Sequence, residues 1–256
     1  MSEKLILVCN DDGVTAPGIQ ALIDVVKPLG KVVAVAPDKP QSGMGHAITI
    51  NATLRNTKIR SEDGLEVYSC SGTPVDCIKM GVNVILDRKP DLVVSGINHG
   101  SNASINVIYS GTMSAAIEGC LEGIPSIGFS LLDHSIDANF EAAKHYASII
   151  ARKTLDQGLP QGVCLNVNIP KLSKSEISGI KICRQARANW EEEFDERKDP
   201  SGNAYYWLTG VFKNYDQGRD TDIWALSNNY VSVVPVLYDL TAHEAISTLK
   251  NWGLDV

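Results

Sequence analysis

No stretch of this sequence approaches the ~20 consecutive apolar residues that a membrane helix requires. The first ten residues hold too short an apolar run for a secretory leader, so the chain is expected in the cytoplasm with no membrane partner. Basic residues are in the minority: 23 Lys and Arg against 30 Asp and Glu leave a formal charge of −7. Gripping a nucleic-acid duplex takes a basic face, so no such partner is expected. A small anionic substrate remains compatible if a bound cation supplies the positive charge. The six cysteines (9, 70, 77, 120, 164 and 183) form no Cys-x-x-Cys pair, and most sit in apolar runs. They read as small buried hydrophobes in a reducing cytosol. Several catalytic signatures are also missing. There is no Gly-x-x-x-x-Gly-Lys phosphate loop and no Gly-x-Ser-x-Gly elbow, and Gly43-x-Gly45 meets Ile48 where a dinucleotide fingerprint needs a third glycine.

What is present is ordinary globular material. Hydrophobic residues make up 44% and charged residues 21% of 256, which excludes disorder, collagen and coiled coil. A chain of this length buries about 70–75% of its unfolded surface and needs no disulfide or structural metal. Strand-like runs at 5–9, 31–36, 91–95, 126–130 and 163–169 alternate with helical patterns. The helices are expected from Pro17, from the Thr73-Pro74-Val75-Asp76 cap to about Leu86, over 110–123 and over 140–155. Extended segments around 46–54, 55–60 and 65–69 suggest hairpins. Continuous apolar strands separated by helices indicate an α/β fold, a doubly wound, mostly parallel sheet covered on both faces. The stretch from 171 to 218 differs, with acidic runs and aromatics. Residues 178–183 and 205–211 are expected to form a long hairpin, an arm more suited to subunit association than to chemistry. A last strand at 231–236 and a helix at 241–252 close a single unit, with its core about 1–170 and 220–256 and its arm about 178–219.

Three polar clusters each follow a predicted strand. In an open α/β sheet they should meet on the rim outside the strands' carboxyl ends. Asn10-Asp11-Asp12-Gly13 sets two carboxylates side by side, a repulsive arrangement unless a cation lies between them, although the same residues also make turns. Oxygen ligands of this kind suit Mg²⁺, Mn²⁺ or Ca²⁺. The loop from Pro37 to His46 offers the Ser42 hydroxyl and, around Gly43, backbone N–H groups, or is simply a surface loop. Residues 95–102 add Asn98 and Asn102, whose amides offer an oxygen to a cation and a donor to a phosphate oxygen. Ser110-Gly111-Thr112 then opens a helix whose free N–H groups suit an anion, unless Ser110 and Thr112 only cap it. His46, His134, His145 and His243 carry no assigned role. Together the clusters form a one-metal, phosphate-sized site suited to metal-assisted hydrolysis of a phosphomonoester.

At these residues the sequence resembles the SurE family, the survival-protein 5′-nucleotidases. The matching segments are Asn10-Asp11-Asp12-Gly13 with Ala16-Pro17-Gly18-Ile19, then Ser42-Gly43, then Gly72-Thr73-Pro74-x-Asp76-Cys77. They continue with Ser95-Gly96-Ile97-Asn98-x-Gly100-x-Asn102 and with Tyr109-Ser110-Gly111-Thr112 followed by Ala115-Ala116-x-Glu118-Gly119. Order and spacing hold across about residues 4–130, and Thr221-Asp222 and Val231 to Pro235 extend the likeness. The resemblance implies a divalent-metal-dependent phosphatase of nucleoside monophosphates with a Rossmann-like core. It also implies a swapped C-terminal arm that makes homodimers or homotetramers. One metal per subunit (Mg²⁺ or Mn²⁺, with Ca²⁺ possible in crystals) would be held by Asp11, Asp12, Ser42 and Asn98. Ser42, Gly43, Asn102, Ser110, Gly111 and Thr112 would bind substrate. Many relatives carry a basic residue before the Ser-Gly, where this chain has Gln41. The implied catalytic set is Asp11, Asp12, Asn98 and Asn102, with Asp12 or Asp11 orienting or deprotonating the attacking water. Related activities on 3′-nucleotides and polyphosphate are compatible.

Two rivals share these features. Haloacid-dehalogenase-like phosphatases place Asp-x-Asp after their first strand, but aligning Asp12-Gly13 to the second Asp puts Asn10 at the nucleophile, and an amide cannot form an aspartyl-phosphate. A non-catalytic, metal-dependent nucleotide-sensing module would use the same pocket for binding alone.

Overall fold

A computed structural model of the chain describes residues 3–135 and 137–254. The first strand, β1 (Leu5–Cys9), is buried along its whole length. Ile6 and Val8 face one side of the sheet, packing with Ile19 and Leu22 of α1 (Pro17–Val26). Leu7 and Cys9 face the other, packing with Cys77 and Ile78 of α2 (Pro74–Met80). That two-sided burial is why the strand reads as a continuous apolar run, and each such side chain contributes about 1.5–3 kcal/mol relative to exposure.

Seven further strands extend this layer. They are β2 (Lys31–Pro37), β3 (Asn56–Glu62), β4 (Leu65–Cys70), β5 (Leu92–His99), β6 (Ser126–Leu131), β7 (Val163–Ile169) and β11 (Tyr230–Leu237). With β8 (Gly179–Ile182) at the edge, the sheet runs β3-β4-β2-β1-β5-β6-β7-β11-β8. From β4 through β7 all neighbours are parallel, while β3 and β11 each join antiparallel. The chain winds outward from β1 through β2 to β4, then returns to place β5 on the other side of β1, where Cys9 pairs with Ser95. The order of winding therefore reverses between β1 and β5, and the crevice outside their carboxyl ends is the expected ligand position.

Helices α4 (Gly111–Leu121) and α5 (Glu141–Gln157) complete the two covering layers, with a single turn α3 (Asn106–Tyr109) leading into α4. The expected cap of α2 is present. Thr73 Oγ1 accepts from the Asp76 N–H at 3.2 Å, and Asp76 Oδ2 accepts from the Thr73 N–H at 2.9 Å. The helix then widens into a π turn over Gly81–Ile85, ending near Leu86 as its pattern implies. Among the described residues no helix is long and apolar enough to cross a membrane.

Two expectations differ from the structure. Residues 46–54 form no strand: Ile48 and Ile50 are exposed, and the sheet edge is occupied by β3 instead. Residues 178–183 do not pair with 205–211, because β8 lies parallel to β11 in the main sheet. The arm is made by β9 (Ala188–Lys198) and β10 (Ala204–Asn214), paired antiparallel along their full lengths. Both strands are exposed almost throughout, with Phe194, Trp207 and Leu208 among the uncovered side chains. The short helix α6 (Asp222–Ser227) returns the chain to β11, and the terminal α7 (His243–Lys250) buries no residue.

Candidate active site

The turn after β1 carries the acidic pair to the switch-point crevice. Asp11 is buried, 4% exposed, and Asp12 is half-buried. Thr112 Oγ1 donates to Asp11 Oδ1 at 2.5 Å, and the His99 N–H reaches Asp12 Oδ2 at 3.3 Å. Burial pushes the Asp11 carboxyl up to about 6, with the Thr112 hydroxyl opposing the shift and the Asp12 charge adding to it. Burial also pushes Asp12 upward, against the pull of the His99 N–H. Asn10 Nδ2 donates to the Gly13 carbonyl at 2.9 Å, but the fully buried Asn10 Oδ1 has no hydrogen-bond partner among the described residues.

The amino end of α4 comes against this pair. A Cβ on Gly111 would sit 2.7 Å from Asp11 Cβ and 3.0 Å from Asp11 Oδ2, so glycine is what permits the approach. Ser110 is a true cap, since its Oγ accepts from the Met113 N–H at 3.0 Å. Thr112 is not a cap, because its hydroxyl goes to Asp11. The Thr112 N–H also bears on the Asp11 carboxyl, holding its proton affinity down, and the Gly111 N–H lies at the same helix end beside the carboxylates.

The asparagine loop approaches from β5, where the Gly96–Ile97 peptide is cis. Asn98 is half-buried on the rim, and its Nδ2 donates to the Gly100 carbonyl at 3.0 Å. Asn102 lies deeper, 6% exposed, and one of its amide hydrogens goes to Ser130 Oγ at 2.8 Å. Two residues of β7 fix its backbone: Asn168 Oδ1 accepts from the Asn102 N–H and Asn166 Nδ2 donates to its carbonyl, each at 2.8 Å. Sequence reasoning missed this support. The available signal was two asparagines two positions apart in an apolar strand, hence on one face. Asp222, which the sequence offers only as part of the family likeness, is fully buried and has a structural role. Its Oδ2 accepts from the Ser104 N–H at 2.7 Å and its Oδ1 from the Ala186 N–H at 2.9 Å, tying the loop to the root of the arm.

Ser42 and Gly43 occupy an exposed loop held against the pair by backbone, with the Gln41 N–H donating to the Asp11 carbonyl at 2.8 Å. Further along, His46 Nε2 lies 3.0 Å from Glu118 Oε2, and Lys79 Nζ lies 2.5 Å from Glu118 Oε1. Asp76 accepts from both the Thr49 N–H and its hydroxyl. Asp11, Asp12, the Ser42 loop, Asn98 and the Gly111–Thr112 helix end thus share one rim, with Asn102 behind it.

Among the described residues no three His, Cys, Asp or Glu side chains gather, so any ion here relies on two carboxylates plus neutral oxygens. That donor chemistry fits a hard divalent cation. Two crowded carboxylates of raised proton affinity beside an orphaned buried amide oxygen lack positive charge, which such an ion supplies.

The family profile described as survival protein SurE matches residues 6–192. The protein called 5′-nucleotidase SurE from Flavobacterium psychrophilum is 63% identical over 256 residues, covering 100% of both chains. The protein of the same name from Christiangramia forsetii is 62% identical over 255 residues, 99% of this chain and 98% of its own. The crystal structure of the Sure protein from Aquifex aeolicus superposes with a TM-score of 0.85 at 41% identity, covering 97% of this chain and 99% of that one. With the acidic turn, asparagine loop and helix end sharing one rim inside the matched span, this chain belongs to the SurE family.

Proposed function

We propose that the chain is a divalent-metal-dependent phosphatase of nucleoside monophosphates, a 5′-nucleotidase. One observation carries this reading: Thr112 bonds Asp11 at 2.5 Å, so an anion-binding helix end is locked against a cation-binding carboxylate pair. A phosphoryl group bridging the two would satisfy both. The relatives named 5′-nucleotidase SurE support the same class.

Asp11, Asp12, Ser42 and Asn98 would hold one divalent ion per subunit, Mg²⁺ or Mn²⁺, with Ca²⁺ able to replace it in crystals. Such an ion, when bound, supplies Lewis-acid stabilisation of phosphoryl oxygens and makes water easier to ionise. The remaining work belongs to the chain. Asp11 Oδ1 is engaged by Thr112, whereas Asp12 is half-exposed and, among the described residues, bonded only to a backbone N–H. Asp12 is therefore the better placed carboxylate to orient or deprotonate the attacking water for in-line displacement. The N–H groups of Gly111 and Thr112 stabilise the equatorial oxygens, and Asn102 lines the phosphate pocket from behind. The same machinery serves 3′-nucleotides and terminal phosphates of polyphosphate. The chain acts as one cytoplasmic unit over 1–256. The exposed arm and the uncovered helix α7 serve assembly of a homodimer or homotetramer.

The test is calorimetric titration of Mn²⁺ into metal-free protein, beside Asp12→Asn, Ser42→Ala and Asn98→Ala. One site per chain, weakened in every variant, supports the ligand set; unchanged affinity in all three removes it. Nucleotide binding without phosphate release in saturating metal would favour the sensing module instead.

A further inference from the structure

Beneath the asparagine loop, the carboxyl ends of neighbouring strands carry a row of buried polar side chains. Asn98 on β5 is the register partner of Ser130 on β6, and Ser130 is the partner of Asn168 on β7. Phe129, Leu131, Val167 and Ile169 pack into the core on the α1 and α5 side of the sheet. Alternation therefore turns Ser130, Asn166 and Asn168 to the opposite face. Ser130 and Asn168 are fully buried, and Asn166 is 2% exposed. At that depth each polar atom needs a partner, and an apolar layer would avoid the requirement. Asn168 Oδ1 accepts from the Asn102 N–H, Asn166 Nδ2 donates to the Asn102 carbonyl and Ser130 Oγ accepts from Asn102 Nδ2, each at 2.8 Å. Asn168 Nδ2 donates to Asn166 Oδ1, also at 2.8 Å. Among the described residues, every side-chain hydrogen bond of these three goes to Asn102 or to one another.

We infer that Ser130, Asn166 and Asn168 are positioning residues for the phosphoryl step, acting through Asn102. The inference rests on the nucleotidase reading above, in which Asn102 lines the phosphate pocket. The two β7 asparagines hold the Asn102 main chain by its N–H and its carbonyl at once, so the backbone there is fixed from both sides. Ser130 then fixes the side chain through one amide hydrogen. The second Nδ2 hydrogen, uncommitted among the described residues, is the donor left for a phosphoryl oxygen. A donor held in place before substrate arrives needs no reorganisation as charge develops on the phosphoryl oxygens. The support is separate from the cation site. Among the described residues, none of the three hydrogen-bonds to Asp11, Asp12, Ser42 or Asn98. Loss of the network should therefore weaken the hold on the phosphoryl group and spare the metal.

The experiment is a double-mutant cycle on the full chain: Ser130→Ala, Asn168→Ala, Asn102→Ala, and each of the first two combined with Asn102→Ala. Kinetics on a nucleoside 5′-monophosphate and affinity for inorganic phosphate are measured on Mn²⁺-loaded protein. Calorimetry on metal-free protein gives the Mn²⁺ affinity. Removing the Asn102 donor should lower kcat about 100-fold. Removing its support should lower kcat about 10–100-fold, with KM changing less, because the donor matters most in the transition state. Phosphate affinity should fall in the same variants, and Mn²⁺ affinity should hold in all of them. Each combined variant should be no worse than Asn102→Ala alone, since a support acts only through the group it holds. Ser130→Ala removes a single hydroxyl and carries the test if Asn168→Ala does not fold. Additive losses in the combined variants would overturn the inference. So would Mn²⁺ affinity that falls in step with kcat, because the row would then brace the whole rim. Unchanged kcat in Ser130→Ala and Asn168→Ala would overturn it as well. A wild type that binds phosphate but releases none from the nucleotide contradicts the nucleotidase reading itself, and the same cycle in phosphate affinity then decides the network.

Discussion

Thr112 and Asp11, far apart in the chain, share a 2.5 Å hydrogen bond that fixes the start of α4 to the turn after β1. The bond orients the Asp11 carboxylate and leaves its second oxygen for another partner. Thr112→Val keeps the shape and the backbone N–H but removes that donor. Losing such an outer hydrogen bond typically weakens a metal site about 10–100-fold. Mn²⁺ titration should therefore show reduced affinity, with turnover largely recovered at saturating metal. Unchanged affinity would separate Thr112 from the cation site.

Asp11 is a buried carboxylate beside a second one, an arrangement costly to the metal-free fold. Asp11→Asn removes the charge at nearly constant volume. In EDTA at neutral pH the variant should unfold at higher urea concentration than wild type, by about 1–3 kcal/mol. Its turnover should be abolished. Stability lost rather than gained would show that the carboxylate is satisfied by the protein alone.

Glu118 gives stability a pH dependence at the acid end. Burial raises its carboxyl, but His46 and Lys79 outweigh this and hold it below the ordinary value of 4.5. A carboxyl lowered in the folded state contributes stability fully above its unfolded value. That contribution is lost as pH falls below 4.5 through the folded value. Wild type should thus lose stability more steeply than Glu118→Gln in acid denaturation profiles. Half-exposed partners limit the difference to about 1 kcal/mol. The variant should also loosen the loop bearing Ser42 and weaken Mn²⁺ binding modestly.

Asp222 accepts N–H groups from Ser104, Ala186 and Ile223 while fully buried. Asp222→Ala leaves those donors without partners, at a cost of about 1–3 kcal/mol for each one that water cannot reach. A large drop in the unfolding midpoint is expected, with Asp222→Asn intermediate. A neutral effect would mean that water replaces the carboxylate.

The buried half of the fold was legible in the sequence because its signals are local. Leu5 to Cys9 is continuous apolar sequence buried on both faces, and the Thr73–Asp76 box announces α2 from four residues. The rim clusters were legible because strand ends in a parallel sheet converge by topology. Where partners are distant, local signals fail. Residues 46–50 alternate like a strand, yet His46 is held by Glu118, the Ala47 carbonyl by Thr73 and Thr49 by Asp76, so no ladder forms. Residues 178–183 carry nothing that says their neighbour is β11 rather than the arm. Asn166, Asn168 and Asp222 act through backbone groups elsewhere in the chain, which composition cannot reveal.

Phosphate release from a nucleoside 5′-monophosphate by metal-stripped protein, with Mn²⁺ added back to wild type and Asp12→Asn, tests the central claim most directly. Release that is absent in EDTA, restored by Mn²⁺ in wild type and absent in the variant at any metal concentration is the expected result. Release that persists in EDTA, or in Asp12→Asn, would contradict it.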